Sequence, residues 1–271
     1  MINRSIGIFD SGVGGLTVLC ELRKKLPQEN FIYFGDTARV PYGGKSSSSV
    51  LQYSVEASHF LRNKGIKLLV IACNTATAFA LDYLNRELDI PVIGVIEPGA
   101  IAGVKASKNK SIGVIGTKGT VRSKEYNKIL KRIDPEIIVE SKACPLFAPI
   151  VEEGLVGTEI SQEVIEHYLK DFKSGSADTL ILGCTHYPVM KEEIQKVLGP
   201  NITLINPAYE TAKKVRQVIL EQKIETDHKS SGSVQYYCSD DKESFYEVGS
   251  RIIKINPAEV KEVELKKILL K

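Results

Sequence analysis

The sequence has no long apolar run, which limits where the protein can work. No stretch of its 271 residues approaches the roughly 18–20 apolar residues that span a bilayer. The N-terminal residues Met-Ile-Asn-Arg-Ser lead at once into a strand-like pattern, without the charged segment and apolar core of a secretory signal. We therefore expect a cytoplasmic protein without membrane partners.

The sequence also carries little excess charge. The net charge is +3, and no run is dense in lysine or arginine, so no nucleic-acid partner is expected. A hydrophobic content of 43% and a charged content of 25% are ordinary for a globular protein. The length suits one large or two modest domains.

Paired cysteine motifs are absent as well. The five cysteines are widely spaced and form no C-x-x-C pair, which argues against a zinc ribbon or a thioredoxin-type site. The Cys and His residues also lack metal-ligand spacing, so no metal is expected. Free cysteines are by default small buried hydrophobes, and this interpretation is kept for Cys20, Cys144 and Cys238.

The sequence does contain an internal repeat, centred on the other two cysteines. LLVIACNT (68–75) and TLILGCTH (179–186) share an apolar run, a small residue, a cysteine, and then hydroxyl or amide side chains. Two further pairs match in the same order, at an offset of about 110 residues: 5–11 with 111–117, and 91–98 with 201–207. Strands of α/β proteins resemble one another in general, but the paired cysteines favour a true repeat. Cys73 and Cys184 should therefore occupy equivalent points in two similar halves.

Strand-like and helix-like segments alternate along the chain, as in proteins with parallel sheets. We predict an α/β fold of two pseudo-symmetric domains, each a mostly parallel sheet flanked by helices, with the active site in the cleft between them. The segment after Pro207 is not a third repeat. The predicted domains are therefore residues 1–97 plus 208–271, and residues 98–207, with crossings at Glu97-Pro98-Gly99 and Asn206-Pro207-Ala208.

Ligands of open α/β sheets bind beyond the carboxyl ends of the strands. Polar clusters follow four predicted strands, and the repeat adds Thr117 as the counterpart of Ser11. The clusters are Asp10-Ser11-Gly12, Pro41-Tyr42-Gly43, Cys73-Asn74-Thr75 and Cys184-Thr185-His186.

The glycine-rich turn at residues 10–15 suits an anion, because such turns expose backbone N–H groups. Its spacing does not match G-x-G-x-x-G, and no ribose-binding acid follows at the usual distance, which argues against a nucleotide. A carboxylate is favoured instead, held by small hydroxyl side chains. These are Ser11, Thr75, Thr117 and Thr185.

Both Cys73 and Cys184 are predicted to open helices, where the pKa of a thiol is lowered. Asp10 near Cys73, and His186 two residues after Cys184, are candidates for moving protons. Asp10 could instead cap a helix, and His186 could be a packing residue. Glu152 and Glu153 precede a glycine in the second half and are further candidate acids, whereas His59, His167 and His228 are interpreted as structural.

Four strings, in order, resemble the glutamate racemases of the cofactor-independent aspartate/glutamate racemase family. They are FDSGVGGLTV (9–18), GDTARVPYG (35–43), ACNTAT (72–77) and GCTHYP (183–188). The resemblance covers most of the chain and fades after about residue 225. It implies a racemase without a cofactor, in which one cysteine thiolate removes the Cα proton of glutamate and the other thiol returns a proton to the opposite face.

The resemblance also assigns site residues. It makes Cys73 and Cys184 the catalytic pair, with Asp10, Glu152 and His186 as auxiliary acids and imidazole. It implies substrate contacts by Asp10, Ser11, Tyr42, Gly43, Asn74, Thr75, Thr117, Thr185 and His186. It further implies a role in supplying D-glutamate for peptidoglycan, and a homodimer, since many members are dimers.

Two alternatives remain open on the sequence alone. The same cysteines would serve an aspartate racemase or a related thiol-dependent isomerase or lyase, because sequence spacing does not measure the pocket. A two-lobed α/β protein could also be an amino-acid sensor, although two thiols at equivalent strand ends have little use in a binder.

Overall fold

Two parallel sheets organise the computed structural model, which describes residues 3–268. The strands are β1 Ile6–Asp10, β2 Phe31–Gly35, β3 Leu68–Ile71, β4 Val92–Gly94, β5 Ser111–Gly116, β6 Ile138–Ala143, β7 Thr179–Gly183, β8 Thr203–Ile205, β9 Val234–Cys238 and β10 Val260–Glu262. One sheet has the order β10-β9-β2-β1-β3-β4 and the other β6-β5-β7-β8, with parallel pairing throughout. The order β2-β1-β3-β4 recurs as β6-β5-β7-β8, so the predicted α/β fold with two parallel sheets is confirmed.

Helices cover both faces of each sheet. They are α1 Leu16–Lys25, α2 Ser47–Asn63, α3 Asn74–Glu87, α4 Ile96–Ala106, α5 Lys118–Ser123, α6 Glu125–Ile133, α7 Phe147–Glu152, α8 Glu159–Ser174, α9 Lys191–Leu198, α10 Pro207–Gln222 and α11 Lys242–Ser250. In each of the strands β1, β3 and β7, alternate side chains enter different hydrophobic cores, because successive side chains of a strand point to opposite faces. Leu180 and Leu182 of β7, for example, face one core and Ile181 the other. The continuous apolar runs in the sequence are therefore strands buried on both faces.

The two predicted crossings are the first turns of helices. Glu97, Pro98 and Gly99 lie in α4, because β4 ends at Gly94 and the helix begins at Ile96. Helix α4 packs against β7, and α10 packs against α1, so the chain changes sheets at these two helices. Asn206 caps α10, its side chain accepting the Ala208 N–H at 3.0 Å.

The segment after α10 returns to the first sheet. Strand β9 pairs with β2, and β10 pairs with β9. The domain boundaries given above stay a prediction, and residues 1–2 and 269–271 of that prediction lie outside the described residues. In the part of the chain that the structure describes, no helix has the length and apolarity needed to cross a membrane.

Helix α8 offers a matched test of the core of the second sheet. Leu169 is fully buried, whereas Ile160 on the same helix is 55% exposed. We expect Leu169→Ala to lower the free energy of unfolding by about 2–5 kcal/mol, because it leaves a cavity. Ile160→Ala should change it by less than about 0.5 kcal/mol. Urea denaturation measures both, and equal losses would contradict this assignment of the core.

Candidate active site

The carboxyl ends of the two sheets face each other. The Thr17 hydroxyl donates to the Thr185 carbonyl at 2.9 Å, and the Thr75 and Thr117 hydroxyl oxygens lie 2.8 Å apart. The Tyr126 hydroxyl donates to Asn74 Oδ1 at 2.8 Å. Each contact joins a segment beyond a strand of one sheet to a segment of the other half. The polar clusters predicted at separate strand ends therefore form one site.

Two glycines make this close approach possible. A Cβ atom on Gly14 would lie 2.4 Å from Thr185 Oγ1, and one on Gly43 would lie 2.5 Å from Thr117 Cβ. Any larger residue at either position would push the two halves apart. The glycine-rich turn thus brings the backbone of the first half against the Cys184 segment of the second.

Cys73 is the N-cap of α3, as predicted. Its Sγ accepts the Ala76 N–H at 3.4 Å, and the side chain is buried. The expected fall in its pKa is wrong. Burial and the nearby Asp10 carboxylate raise the pKa of Cys73 to about 12, outweighing the Ala76 N–H and the Ser11 hydroxyl. In this structure Cys73 is therefore a neutral thiol at pH 7.

Cys184 does not open an α-helix, and this prediction is wrong. In the first half, the Thr77 N–H donates to the Cys73 carbonyl at 2.8 Å. The corresponding position in the second half is Pro188, which has no N–H to donate. The Cys184 carbonyl instead accepts from Tyr187 at 3.2 Å, and a 3₁₀ turn over Tyr187–Met190 precedes α9. One proline therefore breaks the equivalence of the two repeats at the cysteine.

His186 lies between Cys184 and Glu152. Its Nδ1 is 3.7 Å from Cys184 Sγ, and its Nε2 is 2.8 Å from Glu152 Oε1. The contact with Glu152 is an ion pair when the ring is protonated. Burial alone would lower the pKa of His186, but Cys184 and Glu152 outweigh it and raise that pKa to about 10. The second half therefore places a buried imidazolium beside its cysteine.

Asp10 is the buried acid on the Cys73 side. Its Oδ2 accepts the Gly12 N–H at 3.0 Å, an arrangement that also orders the glycine-rich turn. Burial raises the pKa of Asp10, and the His186 charge acts in the opposite direction. A Cβ atom on Gly15 would lie 2.5 Å from Asp10 Cβ, so the turn closes tightly over this residue. Helix α1 begins after its N-cap Gly15, so Asp10 orders the turn and is not the cap residue of that helix.

Tyr42 is at the site but its hydroxyl is already used. The hydroxyl donates to Asp36, which is fully buried and also accepts from Arg39 Nε at 2.7 Å and from the Ser239 hydroxyl at 2.8 Å. A ligand that reached the Tyr42 hydroxyl would therefore have to share it with Asp36. Sequence reasoning missed Asp36, although it stands one residue beyond β2, next to Asp10 on β1.

Sequence reasoning also missed three residues that contact predicted site residues. Each of the three lies on a helix and reaches across to the site residue that it contacts. Thr120 lies 3.2 Å from the Thr75 hydroxyl and 3.1 Å from that of Thr117, completing a cluster of three threonines. Tyr126 orients Asn74, and Thr17 holds Thr185 as described above. Thr17 stands in the string 9–18 but was given no role there, and no motif marked Thr120 or Tyr126, because these residues contact the site only through the fold.

The other three cysteines differ in their burial. Cys144 and Cys238 are buried in hydrophobic cores, and Cys20 is half-buried on α1.

An open cleft leads from Gly12 and Val13 past Glu152 and Glu153 to helix α11. Within residues 3–268 no group of three or more Cys, His, Asp or Glu residues is arranged to hold a metal ion.

The chain matches the family model of Asp/Glu/Hydantoin racemases over residues 20–215. It is 47% identical, over 97% of both chains, to a glutamate racemase from Geobacter metallireducens. Among solved structures it is similar to a glutamate racemase isoform from Bacillus anthracis, with a TM-score of 0.94, 39% identity, and coverage of 97% of this chain and 98% of that one. It is also similar to the Francisella tularensis glutamate racemase in complex with D-glutamate, with a TM-score of 0.91, 36% identity, and the same coverage.

The buried imidazolium predicts a pH-dependent contribution to stability. The folded-state pKa of His186, about 10, lies above its ordinary 6.5. The stabilisation from protonated His186 is therefore fully present below pH 6.5 and is lost as the pH rises through about 10. We expect the difference in free energy of unfolding between the wild type and His186→Asn to shrink across this range. Urea denaturation at several pH values tests this, and a constant difference would exclude a charged His186.

Proposed function

The chain belongs to the Asp/Glu/Hydantoin racemase family and, within it, to the glutamate racemases; from this premise we propose that it interconverts L- and D-glutamate by proton transfer between Cys73, Cys184 and the substrate Cα. The observation that supports this mechanism is the placement of the two thiols. Cys73 follows β3, which pairs with β1, and Cys184 follows β7, which pairs with β5 in the same way. Both side chains are buried, and Cys184 is among the groups that raise the pKa of Cys73, so the two lie close together.

The chemistry needs two groups on opposite faces of one carbon. A thiolate takes the Cα proton, and the electron pair of the broken C–H bond stays on the substrate as a carbanion delocalised into its carboxylate. The thiol on the other face then gives its proton to Cα, which inverts the configuration. The next turnover in the opposite direction begins with the roles of the two sulfurs exchanged, so the reaction needs no external acid, base or oxidant.

The surroundings of the two sulfurs differ, and this difference assigns starting roles. Cys73 is held as a thiol by burial and by Asp10. Cys184 Sγ lies 3.7 Å from Nδ1 of the charged His186 ring, so a positive charge stands beside that sulfur. We propose that Cys184 begins as the base and Cys73 as the acid for one enantiomer. For the other enantiomer, Asp10 and His186 would help to redistribute the protons.

The carbanion has no cofactor to accept its charge, so fixed hydrogen-bond donors must stabilise it. The threonine cluster of Thr75, Thr117 and Thr120 offers hydroxyl donors where the two halves meet. We propose that the substrate carboxylates and ammonium are held by Asp10, Ser11, Asn74, Thr185, His186 and this cluster, together with the backbone N–H groups of Tyr42 and Gly43. The buried setting excludes water, which strengthens each of these interactions.

The relatives that match nearly the whole chain are glutamate racemases, which favours glutamate over aspartate as the substrate. We propose a cytoplasmic role in supplying D-glutamate for peptidoglycan. A homodimer stays a prediction from family resemblance.

The two-thiol mechanism predicts that both cysteines are required. We expect Cys73→Ala and Cys184→Ala each to lower kcat for racemisation at least about a thousandfold, because each removes one of the two proton-transfer groups. Cys20→Ala, which removes a half-buried thiol of α1, is the matched control and should retain activity. Circular dichroism at 200–250 nm would check that each variant folds. Near-normal turnover in either active-site variant would refute the mechanism.

Incubation with L-glutamate in heavy water tests the activity itself. Without any added cofactor, we expect the optical signal to decay to zero while deuterium replaces the Cα proton, as followed by circular dichroism and NMR. Reaction with aspartate but not glutamate would move the assignment to the sister activity. No reaction with either would favour the amino-acid sensor.

A further inference from the structure

The end of helix α11 reaches across the cleft to the loop that carries Glu152. Helix α11 follows β9 of the first sheet, whereas Glu152 ends α7 beside the second sheet. The link is Arg251, which directly follows α11. Its Nη1 donates a hydrogen bond to the Glu152 carbonyl oxygen. A single side chain from the C-terminal segment therefore touches the backbone of a proposed site residue in the other half.

The guanidinium of Arg251 is itself held in place. Its Nη2 lies 3.0 Å from Glu247 Oε1, one turn earlier on α11. Its flat face covers Gly154, where an added Cβ would lie 3.1 Å from Nη1. Gly154 has φ +70°, a left-handed conformation that glycine adopts without strain. The glycine thus allows both the sharp turn after Glu153 and the close approach of the arginine.

The carbonyl that Arg251 bonds belongs to Glu152, whose side chain contacts the His186 imidazole. Carbonyls in the last turn of a helix lack partners within the helix, so a cation there supplies both a donor and a favourable charge. Holding the backbone of Glu152 fixes the origin of its side chain, which ends 2.8 Å from His186 Nε2. His186 in turn faces Cys184 at 3.7 Å. A continuous chain of contacts therefore runs from Arg251 to one of the two sulfurs.

We propose that Arg251 is a positioning residue for the Cys184 half of the site, holding Glu152 so that its carboxylate stays paired with His186. This inference rests on the proposed function for its effect on turnover, but not for its effect on His186. Arg251 touches neither sulfur, so it acts only through the Glu152 loop. Arg251 follows β9 and α11 of the first half. Its contact with the Glu152 loop therefore forms only when the two halves lie as close together as they do in this structure.

The first test is steady-state kinetics. We expect Arg251→Ala to lower kcat/KM for glutamate roughly tenfold to a hundredfold, the loss typical of a misplaced supporting group. The factor must be the same in both directions, because the two enantiomers have equal free energies. Arg251→Lys should recover part of the activity, since an ammonium can still donate to the Glu152 carbonyl. Millimolar guanidinium chloride should also partly rescue Arg251→Ala.

Glu247→Gln is the matched control. It removes the charge of the group that holds Arg251 but keeps an amide oxygen that can accept from Nη2, so kcat/KM should stay within about twofold of wild type. Equal losses in Glu247→Gln and Arg251→Ala would contradict the proposal and point to general weakening of α11. Wild-type activity in a folded Arg251→Ala variant would also overturn it.

The second test reads His186 directly and does not depend on the activity. NMR titration of the imidazole signals follows the four histidines, and the signal lost in His186→Asn identifies His186. The titratable groups that act on this ring are Cys184, Glu152 and Asp10. If Arg251 positions Glu152, the pKa of His186 in Arg251→Ala should fall from about 10 toward its ordinary 6.5.

A direct charge effect would act in the opposite sense, because removing a nearby cation makes protonation of the imidazole easier. A rise in that pKa, or no change, would therefore refute the positioning role. If the wild type failed to racemise glutamate while Arg251→Ala still lowered the pKa of His186, the proposed function would fail and the positioning role would stand.

Discussion

The site depends on the close approach of two turns of the first half, each with a glycine, to the second half. Gly14 lies against Thr185, and Gly43 lies against Thr117, at separations that leave no room for a Cβ atom. These contacts bring the carboxyl ends of two separate parallel sheets together. The bond between Thr75 and Thr117 and the bond from Thr17 to Thr185 form only at this separation. Burial of both sulfurs, and of the groups beside them, follows from the same closure.

That burial gives a nearly symmetric scaffold two different electrostatic environments. On one side, Asp10 and the apolar surroundings keep Cys73 protonated. On the other, Glu152 and Cys184 keep His186 charged in spite of its burial. The repeat supplies equivalent sulfurs, but a carboxylate accompanies one and an imidazolium the other. The Glu152–His186 pair belongs to the second half, and Arg251 from the C-terminal segment bonds the Glu152 backbone.

Much of the fold was predictable because its signals are local. Strands buried on both faces leave continuous apolar runs, so the strands expected ahead of the Asp10, Cys73 and Cys184 clusters are present as β1, β3 and β7. The glycines and the cysteine motifs stand directly after these strands, and their convergence follows from the geometry of parallel sheets. Helix boundaries after Cys184 were not predictable in the same way. The effect of Pro188 is visible only when its position is compared with the hydrogen bond from Thr77 to Cys73.

The sequence by itself determined the alternation of strands and helices, the repeat, and which residue types stand at the strand ends, because these depend on spacing along the chain. Only the tertiary structure decided the partners of those residues. It turned the Tyr42 hydroxyl away to Asp36 and raised the pKa of Cys73 where a helix start alone predicted a lower one. It also brought Arg251 to a residue 99 positions earlier in the chain. Desolvation and contacts between distant segments are properties of the packed molecule, and no local pattern in the sequence records them.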